Sequence, residues 1–166
     1  MSIAIISDIH SNLAALEAVL AKIDREGIQE IYCLGDVVGY GADPAKCIDL
    51  IHQRCKLVVL GNHDLAVATA EGIRFLPDDG QIAAEHNSEQ IDAEQHQWMA
   101  DLPLVATDRD CTFVHASSGD PEKWLRVESF FLAQDQFNHF ETDLCFVGHT
   151  HLPGVLCNQL GVLRVR

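Results

Sequence analysis

Positive charge is scarce in this chain: 11 Lys and Arg stand against 25 Asp and Glu, a formal net charge of −14. No basic cluster exists to neutralise phosphates, so a stable nucleic-acid complex is not expected. No apolar run approaches the roughly 20 residues needed to span a bilayer. No signal sequence precedes the first apolar run, and the expected location is the cytoplasm. The six cysteines include no C-x-x-C pair, which removes the usual small zinc and dithiol frameworks. Cys33, Cys111 and Cys145 fall inside expected strands and Cys157 in a further apolar stretch, all read as free core thiols. Cys47 and Cys55 flank a helix and are expected to be partly exposed. No repeat, low-complexity segment or linker divides the 166 residues. A single domain over 1–166 with its own core is expected.

What the sequence does contain is a succession of short apolar runs, each ended by polar residues. Ile3-Ala4-Ile5-Ile6 stops at Ser7-Asp8-Ile9-His10, and a helix from about Leu13 to Arg25 follows, closed by Gly27. Its expected inner face is Leu13, Leu16, Val19, Leu20 and Ile23. Glu30 to Leu34 reads as a second strand ending at Gly35-Asp36, and Asp43-Pro44 as a helix start. Lys56 to Leu60 reads as a third strand ending at Gly61-Asn62-His63-Asp64, with Ala66 to Ala70 in a short helix that begins near that motif. A loop is expected from Glu71 to Gly80, then a helix to about Ile91, then a capping box at Asp92-Ala93-Glu94-Gln95. Leu104–Thr107 and Cys111–His115 read as a hairpin, and Ser129–His139 as a helix with Phe130, Phe131, Phe137 and Phe140 available to the core. Leu144–Val147 reads as a buried strand, with a last hairpin from Val155–Cys157 and Gly161–Val165.

Strand-then-helix order places the polar strand ends along one edge of a parallel sheet, where such folds carry their sites. Asp8, His10, Asp36, Asn62, His115, His149 and His151 are the oxygen and nitrogen donors that collect there. Seven donors exceed one tetrahedral zinc but suit two cations sharing a carboxylate, with Asp36 the central candidate. Two cations roughly 3.5–4 Å apart can activate a bridging water and hold both oxygens of a phosphoryl displacement. Any one of these residues alone is an ordinary loop histidine or turn aspartate; their shared position at strand ends is what gives them weight. His52, His86, His96 and His139 lie within or beside helices and are read as surface or supporting residues.

In this order, Asp8-x-His10, Gly35-Asp36, Gly61-Asn62-His63-Asp64, His115 and Gly148-His149-x-His151 resemble the calcineurin-like metallophosphoesterase superfamily. Gly35-Asp36-Val37-Val38-Gly39-Tyr40-Gly41 is further similar to a bacterial branch of phosphoesterases. The resemblance implies a four-layer α/β/β/α sandwich with the site between two sheets, here with a short C-terminal second sheet. It implies one cation held by Asp8, His10, Asp36 and His151, and another by Asp36, Asn62, His115 and His149. It makes His63 a non-ligand beside the reacting phosphate, a general acid or positive clamp, with Asp64 as its support. Manganese is the expected metal, with iron or zinc compatible.

The chain departs from that pattern in two places. Many relatives read Gly-Asp-x-x-Asp-Arg-Gly, whereas Gly39 and Tyr40 occupy the later Asp and Arg positions. Without that carboxylate and that guanidinium the expected substrate is a phosphodiester, with Asn12, Tyr40 and Trp124 as candidate contacts. Arg74, Lys123 and Arg126 are the cations able to approach from other loops. The chain also stops one hairpin after the His-x-His motif, which raises the expectation of a homodimer covering a short sheet. A phosphomonoesterase, a dinucleoside-polyphosphate hydrolase and a noncatalytic scaffold are the competing readings.

Overall fold

The computed structural model describes residues 2–157 together with the backbone of residues 161–163. Three parallel strands, β1 (Ile3–Ile6), β2 (Glu30–Cys33) and β3 (Leu57–Val58), form the first sheet in the order β1-β2-β3. Between them run α1 (Leu13–Arg25) and α2 (Pro44–Arg54). Then come α3 (Asn62–Thr69), a single 3₁₀ turn at Ile73–Phe75, α4 (Asp78–Glu89) and α5 (Ala93–Ala100). The second sheet holds β4 (Val105–Asp108), β5 (Cys111–Val114) and β6 (Leu144–Val147), with β4 antiparallel and β6 parallel to β5. Helix α6 (Phe130–Gln136) precedes β6. β7 (Val155–Cys157) and β8 (Gly161–Leu163) make a separate antiparallel pair, and the expected residues 164 and 165 of that hairpin lie outside the described ones.

Period-two alternation decides which face each strand residue serves. Ala4, Ile31, Cys33 and Val58 point to the helical side, where Leu16, Leu20, Ile23, Cys47, Ile48 and Ile51 cover them. Ile3, Ile5, Tyr32, Leu34, Leu57 and Val59 point the other way, onto Phe113, Ala106, Cys111 and Phe146 of the second sheet. The Tyr32 and Phe113 rings stack at 4.5 Å and 1° between the sheets. The Tyr32 hydroxyl donates to Asp108 across the same gap and receives from Lys56 at 3.2 Å, a polar staple at the edge opposite the strand ends.

Several expectations need correction. Val19 is 43% exposed, because the helix presents it beside rather than toward the sheet. Cys47 is fully buried within α2 rather than flanking it. Asp43 is the N-cap residue of α2 but its carboxylate faces Lys46 at 3.5 Å and caps nothing. The third helix starts at Asn62, within the third motif as expected, whereas α4 already starts at Asp78, inside the expected loop. Phe131 is 80% exposed and Phe130 and Leu132 are exposed with it; α6 instead buries Gln136, whose Oε1 accepts from the Ser118 amide at 2.7 Å. β6 is only half-buried, with Leu144 exposed. The capping box at Asp92 and Gln95 forms as expected.

Removing the inter-sheet ring should matter more than removing its hydroxyl. Tyr32→Phe should cost about 1 kcal/mol, the net worth of a hydrogen bond, and Tyr32→Ala about 3–5 kcal/mol through the cavity left against Phe113. Urea unfolding of the two variants checks the difference.

Candidate metal centre

The loops after β1 and β2 leave the sheet side by side and continue its ladder. Asp8 N donates to Gly35 O at 3.0 Å, His10 N to Asp36 O at 3.0 Å and Ser11 N to Val37 O at 2.9 Å. The loop after β3 closes on the second of these, and Gly61 is required there: a Cβ at that position would lie 2.2 Å from Asp36 Oδ1. Ten non-glycine residues have φ between 50° and 64° among the described ones, and eight of them are Asp8, His10, Ser11, Asp36, Tyr40, Trp124, His149 and His151. Left-handed backbone costs an L-residue roughly 1–2 kcal/mol. Its concentration here shows that the chain accepts strain in order to turn these side chains inward.

Asp36 is the centre of the arrangement, buried at 1% exposure. Its Oδ1 accepts the His63 amide at 2.9 Å, at the start of α3. Its Oδ2 faces His115 Nε2 at 3.2 Å and His10 Nε2 at 3.8 Å. On the His10 side, His10 Nε2 lies 3.2 Å from His151 Nε2, which is 3.3 Å from Asp8 Oδ1. On the His115 side, His115 Nε2 lies 3.2 Å from Asn62 Oδ1 and 3.2 Å from His149 Nδ1. All seven expected donors therefore converge, as two sets meeting at Asp36. Asp8 also accepts the His149 amide at 3.1 Å, which ties the last loop to the first.

The donor chemistry fits cations. His10 Nδ1 faces the Val38 carbonyl at 3.1 Å and His115 Nδ1 the Leu34 carbonyl at 2.7 Å. A carbonyl only accepts, so both Nδ1 atoms carry hydrogen, and each Nε2, once free of its proton, offers a lone pair toward the other donors. Around His115 Nε2 stand a carboxylate oxygen, Asn62 Oδ1 and a second imidazole nitrogen, an electron-rich cluster that one proton cannot satisfy. Burial disfavours a charged His115, but the adjacent Asp36 carboxylate overrides it and raises the ring to about 9. Burial, with the charge of His115 next, pushes His149 down to about 4. Burial also opposes ionisation of Asp36, yet His115, His63 and His10 hold its carboxyl well below the usual range. The site thus asks for positive charge between its donors, and it could hold metal ions at Asp8, His10 and His151, at Asp36, His115 and His149, and at His10, Asp36 and His63.

His63 belongs to the group it forms with His10 and Asp36. Its ring lies 5.0 Å from that of His10 and 4.7 Å from that of Tyr40, and it is buried with Nδ1 lacking a hydrogen-bond partner. A Cβ on Gly39 would come within 2.6 Å of that Nδ1, so the glycine at this departure from the family pattern makes room for the ring. Burial pushes the imidazole below its ordinary value, against the pull of the nearby Asp36 carboxylate.

Asp64 does not support His63. Its Oδ1 accepts the Val38 amide and its Oδ2 the Gly61 amide, each at 3.1 Å, so it braces two loops. Burial and the nearby Asp36 raise its carboxyl. Asn12 is also spent elsewhere: its Oδ1 caps α1 by accepting the Ala15 amide at 3.1 Å. Tyr40 is exposed over His10, and Trp124 lies edge-on to His115 at 6.1 Å, so both flank the centre as expected. Of the three candidate cations, Arg74 lies over Phe75 and Lys123 pairs with Asp120, whereas Arg126 reaches the Thr150 carbonyl between His149 and His151 at 3.1 Å.

Asn87 went unread in the sequence. Fully buried on α4, it accepts from Ser11 Oγ at 2.7 Å and the Gly39 amide at 2.8 Å, and donates to Gly41 O at 3.0 Å. One side chain thereby locks the loops carrying His10, Asp36 and Tyr40. The available signal was its register: Gly80, Ala84 and Asn87 share the buried face of α4, where an asparagine needs partners.

Because Asp36 stands with His115 and His149 and its Oδ2 also faces His10, Asp36→Asn should weaken metal retention on both sides, whereas His151→Ala should first affect one. Metal content after gentle dialysis checks this; two ions retained normally by Asp36→Asn would contradict the sharing.

Among the described residues no helix is long and apolar enough to cross a membrane. The family model for calcineurin-like phosphoesterases matches residues 1–153. An uncharacterized protein of Methanocaldococcus jannaschii is 42% identical over 157 residues, 92% of this chain and 63% of that protein. A symmetrical bis(5'-nucleosyl)-tetraphosphatase of Pectobacterium atrosepticum is 30% identical over 132 residues, 75% of this chain and 45% of that enzyme. The chain therefore spans less than two thirds of the length of these relatives. The crystal structure of a metallophosphoesterase from Sphaerobacter thermophilus superposes with a TM-score of 0.86 at 35% identity, over 99% of this chain and 68% of that one. Sheet order, donor constellation and the match over residues 1–153 agree: the chain belongs to the calcineurin-like phosphoesterase family.

Proposed function

We propose that the protein is a metal-dependent phosphodiesterase in which two divalent cations occupy the donor sets joined by Asp36. The observation that carries this reading is the single buried oxygen, Asp36 Oδ2, facing both His10 Nε2 and His115 Nε2. Asp8, His10, Asp36 and His151 would hold one cation, and Asp36, Asn62, His115 and His149 the other. When bound, the cations would polarise the phosphoryl oxygens and supply a nucleophilic water-derived oxygen at neutral pH. Mixed nitrogen and oxygen donors suit manganese first, with iron or zinc compatible.

The chain's own groups then set the course of the reaction. His63, buried and beside His10, would pass a ring proton as imidazolium to the leaving oxygen and return to the neutral form that burial favours. Tyr40 and Trp124 form walls on opposite flanks and exclude water from an organic ester group. The loop that follows Asp36 has glycine and tyrosine where a carboxylate and a guanidinium would grip a terminal phosphate dianion, which favours a diester. Six free cysteines agree with a reducing, cytoplasmic setting, and the exposed Phe130, Phe131 and Leu132 keep homodimerisation within this reading.

A second reading, hydrolysis of dinucleoside polyphosphates, is favoured by the relatives named as symmetrical bis(5'-nucleosyl)-tetraphosphatases. Steady-state rates with manganese should be higher on bis-p-nitrophenyl phosphate than on p-nitrophenyl phosphate. His63→Asn should keep its metal and lose about 10²–10⁴ in turnover. A wild-type preference for the monoester contradicts the diester assignment, and near-normal turnover by His63→Asn contradicts the role of that ring.

A further inference from the structure

Arg126 belongs to the loop between β5 and α6, and it alone among the cations with described partners bonds to the ligand-bearing turn. Its Nη2 donates to the Thr150 carbonyl at 3.1 Å, and its Nε pairs with Glu128. By contrast Lys56 and Arg109 serve Glu30 and Asp108 at the opposite edge of the sheets, and Lys22, Lys46 and Arg54 pair on helices α1 and α2. A guanidinium has five N–H donors, and two are used here, so three remain in a planar fork. Arg126 also borders a cavity of about 220 Å³, lined with it by Leu125, Val127, Leu132, Asp120 and His139.

We propose that Arg126 is a specificity-determining residue that receives a second anionic group of the substrate, adjacent to the phosphoryl group at the metal centre. This inference rests on the phosphoester reading above and narrows it. The loop after Asp36 lacks a cation, and Arg126 supplies one beside the turn that carries His149 and His151. The guanidinium therefore borders both the turn that carries His149 and His151 and the cavity. The favoured substrates therefore carry an additional phosphate beside the scissile one, with an organic moiety beyond it: a phosphate-bearing diester or a polyphosphate chain ending in a nucleoside-sized group. A simple monoanionic diester engages the metal donors and leaves the fork unused.

The test compares Arg126→Gln and Arg126→Lys with wild type on diadenosine tetraphosphate and on bis-p-nitrophenyl phosphate, with manganese present. Arg126→Gln should raise KM for the tetraphosphate about tenfold or more, as expected for loss of a charged bidentate contact, and the loss should exceed that on the aryl diester by a similar factor. Arg126→Lys should restore part of the difference. An equal loss on both substrates, or no rise in KM for the tetraphosphate, overturns the proposal. If wild type hydrolyses neither substrate, the functional reading fails on its own, and calorimetric binding of inorganic pyrophosphate decides on Arg126: weaker binding by Arg126→Gln supports it and unchanged binding overturns it.

Discussion

Everything at the candidate site depends on how one buried carboxylate divides its two oxygens. Asp36 Oδ1 takes the His63 amide, and Oδ2 looks toward both His10 and His115. The first contact fixes the start of α3 and hence the position of Asn62 and His63 in space. The second contact makes the two donor sets one unit. A buried carboxylate without such partners would protonate instead; here three imidazoles hold it ionised. Gly61, too close to Asp36 for any side chain, and Asp64, bridging the Gly61 and Val38 amides, exist in this geometry to keep the carboxylate where it is.

That arrangement is held against backbone strain. Six of the proposed contact residues, Asp8, His10, Asp36, Tyr40, His149 and His151, have left-handed φ values that isolated peptides avoid. What offsets the cost is the surrounding network: the ladder from Asp8, His10 and Ser11 to the second loop, the Asn87 lock on Ser11, Gly39 and Gly41, and the bond from His149 N to Asp8. The two hydrophobic layers below supply the rigid base. Strand residues alternate between the α1–α2 face and the Phe113 face, so loops leaving β1, β2, β3 and β5 start in register at one edge.

The donors were legible in the sequence because each follows a short apolar run, and strand ends in a parallel sheet meet at one edge. The geometry adds that the Nδ1 atoms of His10 and His115 are pinned by carbonyls, which no pattern of residue types reveals. The backbone amides that Asn12 Oδ1 and the Asp64 carboxylate accept were not legible, because a side chain's type says nothing of which amide it meets. Asn87 was missed for the converse reason: it is far in sequence from every motif, and only tertiary packing brings α4 against the loops. The phenylalanines of α6 failed as core residues because apolar composition fixes no partner, and that helix is anchored by Gln136 instead.

Electron paramagnetic resonance of the protein titrated with manganese tests the central claim, that two cations share Asp36, more directly than any rate. The account predicts that the signal of the protein loaded with two equivalents is that of a spin-coupled pair, and that it differs from the signal at one equivalent. Saturation at one equivalent, or two equivalents giving only isolated-ion spectra, would contradict it.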